Sequence, residues 1–110
     1  ENGWFWLPGE SDAKFTDKGW FWHPGCEPMS AERTFQMYLE TVGRNSTLIL
    51  NCPPDQSGKI PENQVKRLKE FGTMLKSRFK TNLAKSATLE ATNTRANGAT
   101  RTYVVNNLID

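Results

Sequence analysis

Thr47-Leu48-Ile49-Leu50-Asn51-Cys52-Pro53-Pro54-Asp55-Gln56-Ser57-Gly58 is an apolar run stopped by a loop. The run shows no clean alternation. That pattern suits a strand buried on both sides, as in a parallel sheet. Pro53 and Pro54 cannot continue a ladder, and Asp55, Ser57 and Gly58 are turn formers, so 53–58 reads as a tight loop. Asn51 lies where strand meets loop. In a barrel that is the catalytic face. Its simpler role is to hold the loop through side-chain bonds to backbone, and that reading is preferred.

Helical patterns flank the run on both sides. Upstream, Ser30 is a good N-cap, Glu32 favours the positive helix end, and Phe35, Tyr38, Leu39 and Val42 recur at helical spacing. Gly43 suits the C′ position, so a helix is expected over 30–43. Downstream, Pro61 suits a first turn, and Val65, Leu68, Phe71, Gly72, Leu75 and Phe79 form a stripe. A second helix is expected over 61–79. Helix, strand and helix joined by short loops is α/β wiring. It reads as the end of a (β/α) barrel, which needs eight strands and about 250 residues in all.

The first quarter holds all four tryptophans and the only histidine. Gly3-Trp4-Phe5-Trp6 and Gly19-Trp20-Phe21-Trp22 are the same tetrapeptide, and each is followed one residue later by Pro-Gly. An extended W-F-W triplet alternates faces, and Pro-Gly stops a strand with a turn. The segment therefore reads as two aromatic strand ends that open into loops, with Glu10 just past the first turn and His23 at the end of the second triplet. Aromatic faces stack on the C–H face of a sugar, and a desolvated carboxylate among them can act as a general acid. The plain alternative is that the tryptophans are core or interface and Glu10 is a solvated loop residue. Two copies of a sixteen-residue period are too few for a solenoid.

After Asn82 the texture changes. Ala87, Leu89 and Ala91 alternate with Thr88, Glu90 and Thr92, which predicts a half-buried strand. Asn93 to Ala99 reads as a turn, and Tyr103-Val104-Val105 as another strand. The domain boundary is expected near residues 80–84, giving segments 1–82 and 83–110.

Composition narrows the function classes. Net charge is +2, but residues 1–58 carry eight acidic and four basic side chains, and 59–110 carry ten basic and four acidic. Lys66, Arg67, Lys69, Lys76, Arg78 and Lys80 fall on the second expected helix, whose other face is apolar. A solvated face explains them better than nucleic-acid binding, which would want interleaved aromatics. No apolar run is long enough for a transmembrane helix. Cys26 and Cys52 have no C-x-x-C spacing and no nearby ligand set, so no metal and no cofactor are expected; paired or free thiols both remain open. Asn45-Ser46-Thr47 fits the glycosylation sequon. The chain opens on Glu1 without Met and ends on Ile109-Asp110, so it reads as a fragment of a longer protein, with the missing N-terminal part as its partner.

Trp6-Leu7-Pro8-Gly9-Glu10-Ser11-Asp12 followed by Gly19-Trp20-Phe21-Trp22-His23 resembles the W-x-P-[AG]-E-x-D … G-W-F-[WY]-H segment of α-L-fucosidases of glycoside hydrolase family 29. Tyr38, Val42 to Asn51, Pro53-Pro54-Asp55, Gly58 and Arg67 to Gly72 continue the match in order, across nearly the whole chain.

The resemblance implies the C-terminal portion of a (β/α)8-like barrel followed by the first strands of a β-sandwich. It implies a retaining hydrolase acting on terminal α-L-fucose of glycans, with an Asp nucleophile upstream of this chain, and it favours an exported enzyme. Asp12 and Asp17 do not match the nucleophile motif. Glu10 matches the implied acid/base position. Trp6, Trp20, Trp22 and His23 match implied substrate-binding positions, Trp20 and Trp22 near the fucose methyl group, with His23 either binding or only orienting the loop. One departure is Ala13-Lys14-Phe15-Thr16-Asp17-Lys18, where the family commonly has Ser-Ile-Arg-Pro; the implied location is a loop near the aglycone. A reading from a different class is a non-catalytic carbohydrate-binding segment that uses the tryptophans as a platform.

Overall fold

The computed structural model describes residues 7–90, 96–97 and 101–102. Trp4 and Trp6, and the strand expected at 103–105, lie outside the described residues. The chain divides into two units, 1–78 and 79–110.

The apolar run forms strand β2, Ser46–Asn51. It pairs in parallel with strand β1, Gly9–Lys14, in a register running from Gly9 opposite Ser46 to Lys14 opposite Asn51. Parallel pairing was expected for this run. Burial on both sides is not found. Leu48 and Leu50 are half-buried, whereas Thr47 and Ile49 on the other face are exposed, Ile49 at 45%. No described element covers that second face.

β1 corrects a different expectation. A strand starts at Gly9, so Glu10 sits on a strand and not in a loop past a turn. Pro8 lacks an N–H and falls just outside the ladder, where none is needed. Ser11 and Ala13 face inward, half-buried, while Glu10, Asp12 and Lys14 are exposed. The inward Ser11 is satisfied by its neighbour: its Oγ lies 2.8 Å from Ser46 Oγ, and Ser46 in turn donates to the Gly9 carbonyl at 3.0 Å.

Between the strands runs helix α1, Ala31–Thr41. Ser30 caps it as expected, its Oγ accepting from Arg33 N–H at 3.1 Å. The helix then tightens into a 3-10 turn over Val42–Arg44. The left-handed position falls on Asn45 (φ 66°), not on Gly43, which lies inside the turn. Asn tolerates this conformation, and its N–H closes the turn on the Val42 carbonyl at 3.0 Å.

Helix α2, Glu62–Arg78, follows β2 and packs on α1. Tyr38 meets Phe71 edge-on, ring centroids 6.3 Å apart, and the Arg78 guanidinium lies 5.7 Å over the Phe35 ring. Val65, Leu68, Phe71, Gly72 and Leu75 are half-buried as the stripe requires, but Phe79 falls beyond the helix and is 56% exposed. Lys66, Lys69, Lys76 and Arg78 are exposed; Arg67 is half-buried and pairs with Glu70 at 2.9 Å.

The first unit is therefore wired β–α–β–α. Its most buried side chains, Phe15, Thr16, Thr34 and Gln64, are fully shielded, with Cys26 and Ala31 nearly so. Three of these six lie in the connection between β1 and α1. Phe15 and Thr16 belong to the stretch expected as an outlying loop, and they are core instead.

In the second unit, Leu83–Ser86 form a 3-10 turn, with Asn82 Oδ1 accepting from Ala84 N–H at 3.0 Å. The strand expected over 87–92 is absent from its described part: residues 87–90 have no regular structure. The turn expected over 93–99 includes strand β3, Ala96–Asn97, which pairs antiparallel with β4, Arg101–Thr102.

Candidate active site

The two parallel strands end together at Lys14 and Asn51. The loops that leave them, 15–30 and 52–61, share one end of the pair. Loop 15–30 carries Trp20, Trp22 and His23, so the aromatic cluster sits at the C-terminal end of β1.

That loop is shaped from within. Asp17 N–H donates to the Glu27 carbonyl at 3.0 Å, and Glu27 N–H donates back to Asp17 Oδ1 at 2.9 Å. This reciprocal pair closes a neck, and residues 18–26 bulge from it as a compact Ω-type loop. Below the neck, Met29 N–H donates to the Phe15 carbonyl at 2.8 Å, and Thr16 Oγ1 donates to the Gly19 carbonyl at 3.1 Å. Gly19 has φ 107°, a conformation that side-chain-bearing residues rarely adopt, so the sharp change of direction before Trp20 depends on glycine. Pro24-Gly25 makes the expected turn: Cys26 N–H donates to the His23 carbonyl at 3.1 Å, with Gly25 at φ 70°.

Two asparagines from other elements brace the loop. Asn51 Nδ2, at the end of β2, donates to the Trp20 carbonyl at 2.6 Å. Asn63 Nδ2, in the first turn of α2, donates to the Cys26 carbonyl at 3.3 Å. Its neighbour Gln64, fully buried, donates through Nε2 to the Pro53 carbonyl at 3.2 Å. Asn51 thus holds a loop, as expected, but the loop is 15–30 and not the one it begins. Asp17 and Asn63 are positioning groups that the sequence reading missed, since polar residues in a neck or a first helical turn carry no distinguishing pattern.

The Trp20-Phe21-Trp22 triplet is a bend rather than a strand end. Trp20 is 46% exposed and Phe21 78%, while Trp22 is half-buried and His23 exposed. Side chains of this size left in contact with water beside half-buried neighbours form a surface suited to a small amphipathic ligand. Glu10 lies on the strand and not on this loop. It is exposed and paired opposite Thr47, four residues before the end of β1, which is about 13 Å along a strand.

Two further groups line the same end. The Asp55 carboxyl is held below its usual range, chiefly by the Ser57 hydroxyl at 2.6 Å and then by Ser57 N–H at 2.8 Å. The Cys52 thiol is pushed up by burial. Both cysteines are free, Cys26 buried and Cys52 half-buried. Among the described residues no three His, Cys, Asp or Glu side chains gather as a metal site. A concavity of about 1040 Å³ is lined by α2 residues alone, among them Val65, Lys69, Thr73 and Met74. It is a helix flank and shares no residue with the aromatic loop.

Residues 8–79, from Pro8 to the residue after α2, match the family model described as Alpha-L-fucosidase. The chain belongs to the α-L-fucosidase family. It is 37% identical over 93 residues to Alpha-L-fucosidase 1 of Arabidopsis thaliana, covering 84% of this chain and 15% of that protein. Among solved structures, a glycoside hydrolase family 29 fucosidase of Ruminococcus gnavus in complex with fucose superposes with a TM-score of 0.70, at 42% identity, covering 77% of this chain and 17% of that one. A glycoside hydrolase family 29 member from an unknown rumen bacterium superposes at 0.74, with 36% identity, covering 84% of this chain and 17% of that one. The chain thus spans less than a fifth of the length of these relatives. No described helix is long and apolar enough to cross a membrane.

Proposed function

We propose that the protein carrying this chain hydrolyses terminal α-L-fucose from glycans, and that this chain supplies the sugar-contacting loop. The observation that carries the proposal is the braced aromatic loop at the C-terminal end of a parallel strand pair. Ligand sites of barrel enzymes are built there, from the loops that follow the strands. Family membership supplies the substrate class. Fucose is a 6-deoxy sugar, so a tryptophan face against its C6 methyl gains apolar contact, and the methyl has no hydroxyl to be left unpaired. Trp20 and Trp22 are the described candidates, with Trp6 a third; His23 donates or accepts at the loop's rim.

The wiring supports a portion of a (β/α)8 barrel. Two parallel strands with an uncovered face bearing Ile49 are not a sheet that stands alone. Further strands on either side, supplied by the rest of the enzyme, would turn that face into barrel interior. Residues 83–110 fit the first strands of a following β-sandwich, with β3 and β4 as a short hairpin.

The chemistry proposed is retaining, with two carboxyl groups about 5–5.5 Å apart. The nucleophile comes from outside this chain. Glu10 matches the acid/base position by resemblance, but its place on β1 supports another role. About 13 Å short of the strand end, on the uncovered face, it fits a charged group inside the barrel beneath the site. We therefore infer that the proton-transferring carboxyl also comes from outside this chain.

The test is hydrolysis of an aryl α-L-fucoside by the intact protein, with the first-formed sugar followed by proton NMR. Release of α-L-fucose before mutarotation is expected. Release of β-L-fucose first would overturn retention, and no hydrolysis of any α-L-fucoside would overturn the function.

A further inference from the structure

We propose that Asn51 is a positioning residue for the sugar-contacting loop: its side-chain amide fixes where Trp20, Phe21 and Trp22 sit. This rests on the fucosidase reading for its consequence, though not for its geometry. Among the described residues, the 2.6 Å bond from Asn51 Nδ2 to the Trp20 carbonyl is the only hydrogen bond that reaches residues 20–22 from another element. The other ties of the loop fall at its neck, at Asp17 and Glu27, on the residue before the triplet, where Thr16 Oγ1 donates to the Gly19 carbonyl, or at and past the turn, at Pro24 and Cys26. Before Trp20 stands Gly19 at φ 107°, a position free to rotate once released. The triplet thus lies between Gly19, held at its carbonyl by Thr16, and a Pro-Gly turn, with one bond from another element setting its direction.

The donor is itself well placed. The Asn51 backbone carbonyl accepts from Phe15 N–H at 3.1 Å, so one residue holds both the fully buried root of the loop and its exposed arm. Asn51 closes the ladder opposite Lys14, so its Cα is fixed by the sheet. The amide therefore carries the position of the barrel strand to the aromatic arm. Shifting a substrate-contacting side chain by about 1 Å can cost on the order of 100-fold in rate.

The experiment compares Asn51→Ala and Asn51→Asp with wild type in the intact enzyme. The Asp side chain has nearly the same volume but offers a carboxylate oxygen to the Trp20 carbonyl. A merely space-filling role would favour Asp over Ala; a donor role makes Asp no better than Ala. Two readouts are taken. The first is kcat/KM on matched aryl α-L-fucoside and α-L-galactoside, which differ by a hydroxyl on C6. The second is hydrogen exchange of peptides covering residues 18–26.

Both variants are expected to lose roughly tenfold or more on the fucoside. Their preference for fucoside over galactoside should fall by several-fold, on the order of what one hydroxyl in an apolar pocket is worth. Exchange over 18–26 should quicken while that of α1 and α2 stays unchanged. An Asn51→Asp enzyme within twofold of wild type, with the same preference and the same exchange, overturns the proposal. If wild type cleaves no α-L-fucoside, the functional reading falls, and exchange alone decides the grip: faster exchange in the variants supports it, unchanged exchange overturns it.

Discussion

The two ends of the β1–β2 pair are built differently. At the N-terminal end, Ser46 lies opposite Gly9, its hydroxyl meeting Ser11 Oγ and the Gly9 carbonyl, and Glu10 and Thr47 stand exposed. At the C-terminal end, Lys14 and Asn51 lead into a fully buried Phe15-Thr16 root, a carboxylate-closed neck and a loop held at its aromatic arm by Asn51 and past its turn by Asn63. One end is a simple junction. The other is a loop whose backbone is fixed so that its large side chains can remain near water. The contrast supports the placement of function proposed above: partly exposed tryptophans on a braced loop offer a surface for a sugar, whereas Glu10 stands on the strand itself, four residues before its end.

The largest effect is expected at the loop's root. Phe15 is fully buried, and Phe15→Ala should cost about 3–5 kcal/mol by denaturant unfolding of the intact enzyme, through lost burial and the cavity left behind. A loss under about 1 kcal/mol would mean that the root is not core and the contrast between the ends is overstated. Next comes the arm. Trp22→Ala should lower kcat/KM for an α-L-fucoside by roughly 100-fold, the scale of an apolar substrate contact, with unfolding midpoint nearly unchanged. A change confined to stability would make Trp22 a packing residue.

A smaller effect concerns the neighbouring loop. Hydrogen bonds from Ser57 stabilise the Asp55 carboxylate, so its folded-state pKa lies below the unfolded value. The associated stability is present above the usual carboxylate pKa and is lost as pH falls through the depressed folded value. Asp55→Asn should therefore flatten the decline in melting temperature on the acid side, below about pH 4. Identical acid limbs for variant and wild type would show that the Ser57 bonds do not persist in solution.

Much of this was legible in sequence where periodicity is strong. α1, β2 and α2 follow from helical stripes, the Ser30 cap and an apolar run closed by Pro53-Pro54. β1 escaped notice because its inward positions are Ser11 and Ala13, too polar and too small to read as alternation. Their burial works only because Ser46 supplies a hydroxyl across the register. The loop was misjudged for the converse reason. Hydrophobicity ranks Trp20 and Phe21 as core and Thr16 as surface, whereas the neck reverses that order by using Thr16 as a backbone bridge. The aromatic positions were visible as residues to suspect, but the bond by which Asn51 holds them was not, because a side-chain bond spanning 31 positions leaves no local signal.

The placement of function at one end is tested most directly by a paired measurement on a fucosyl disaccharide, whose leaving alcohol needs a proton. Glu10→Gln and Trp22→Ala enzymes are compared with wild type by kcat/KM. The account predicts a loss of roughly 100-fold for Trp22→Ala and a change within about threefold for Glu10→Gln, well below the 100- to 10,000-fold scale of a lost general acid. A collapse of activity in Glu10→Gln, with azide restoring turnover of an aryl fucoside in Glu10→Ala, would contradict it and place the acid/base on β1.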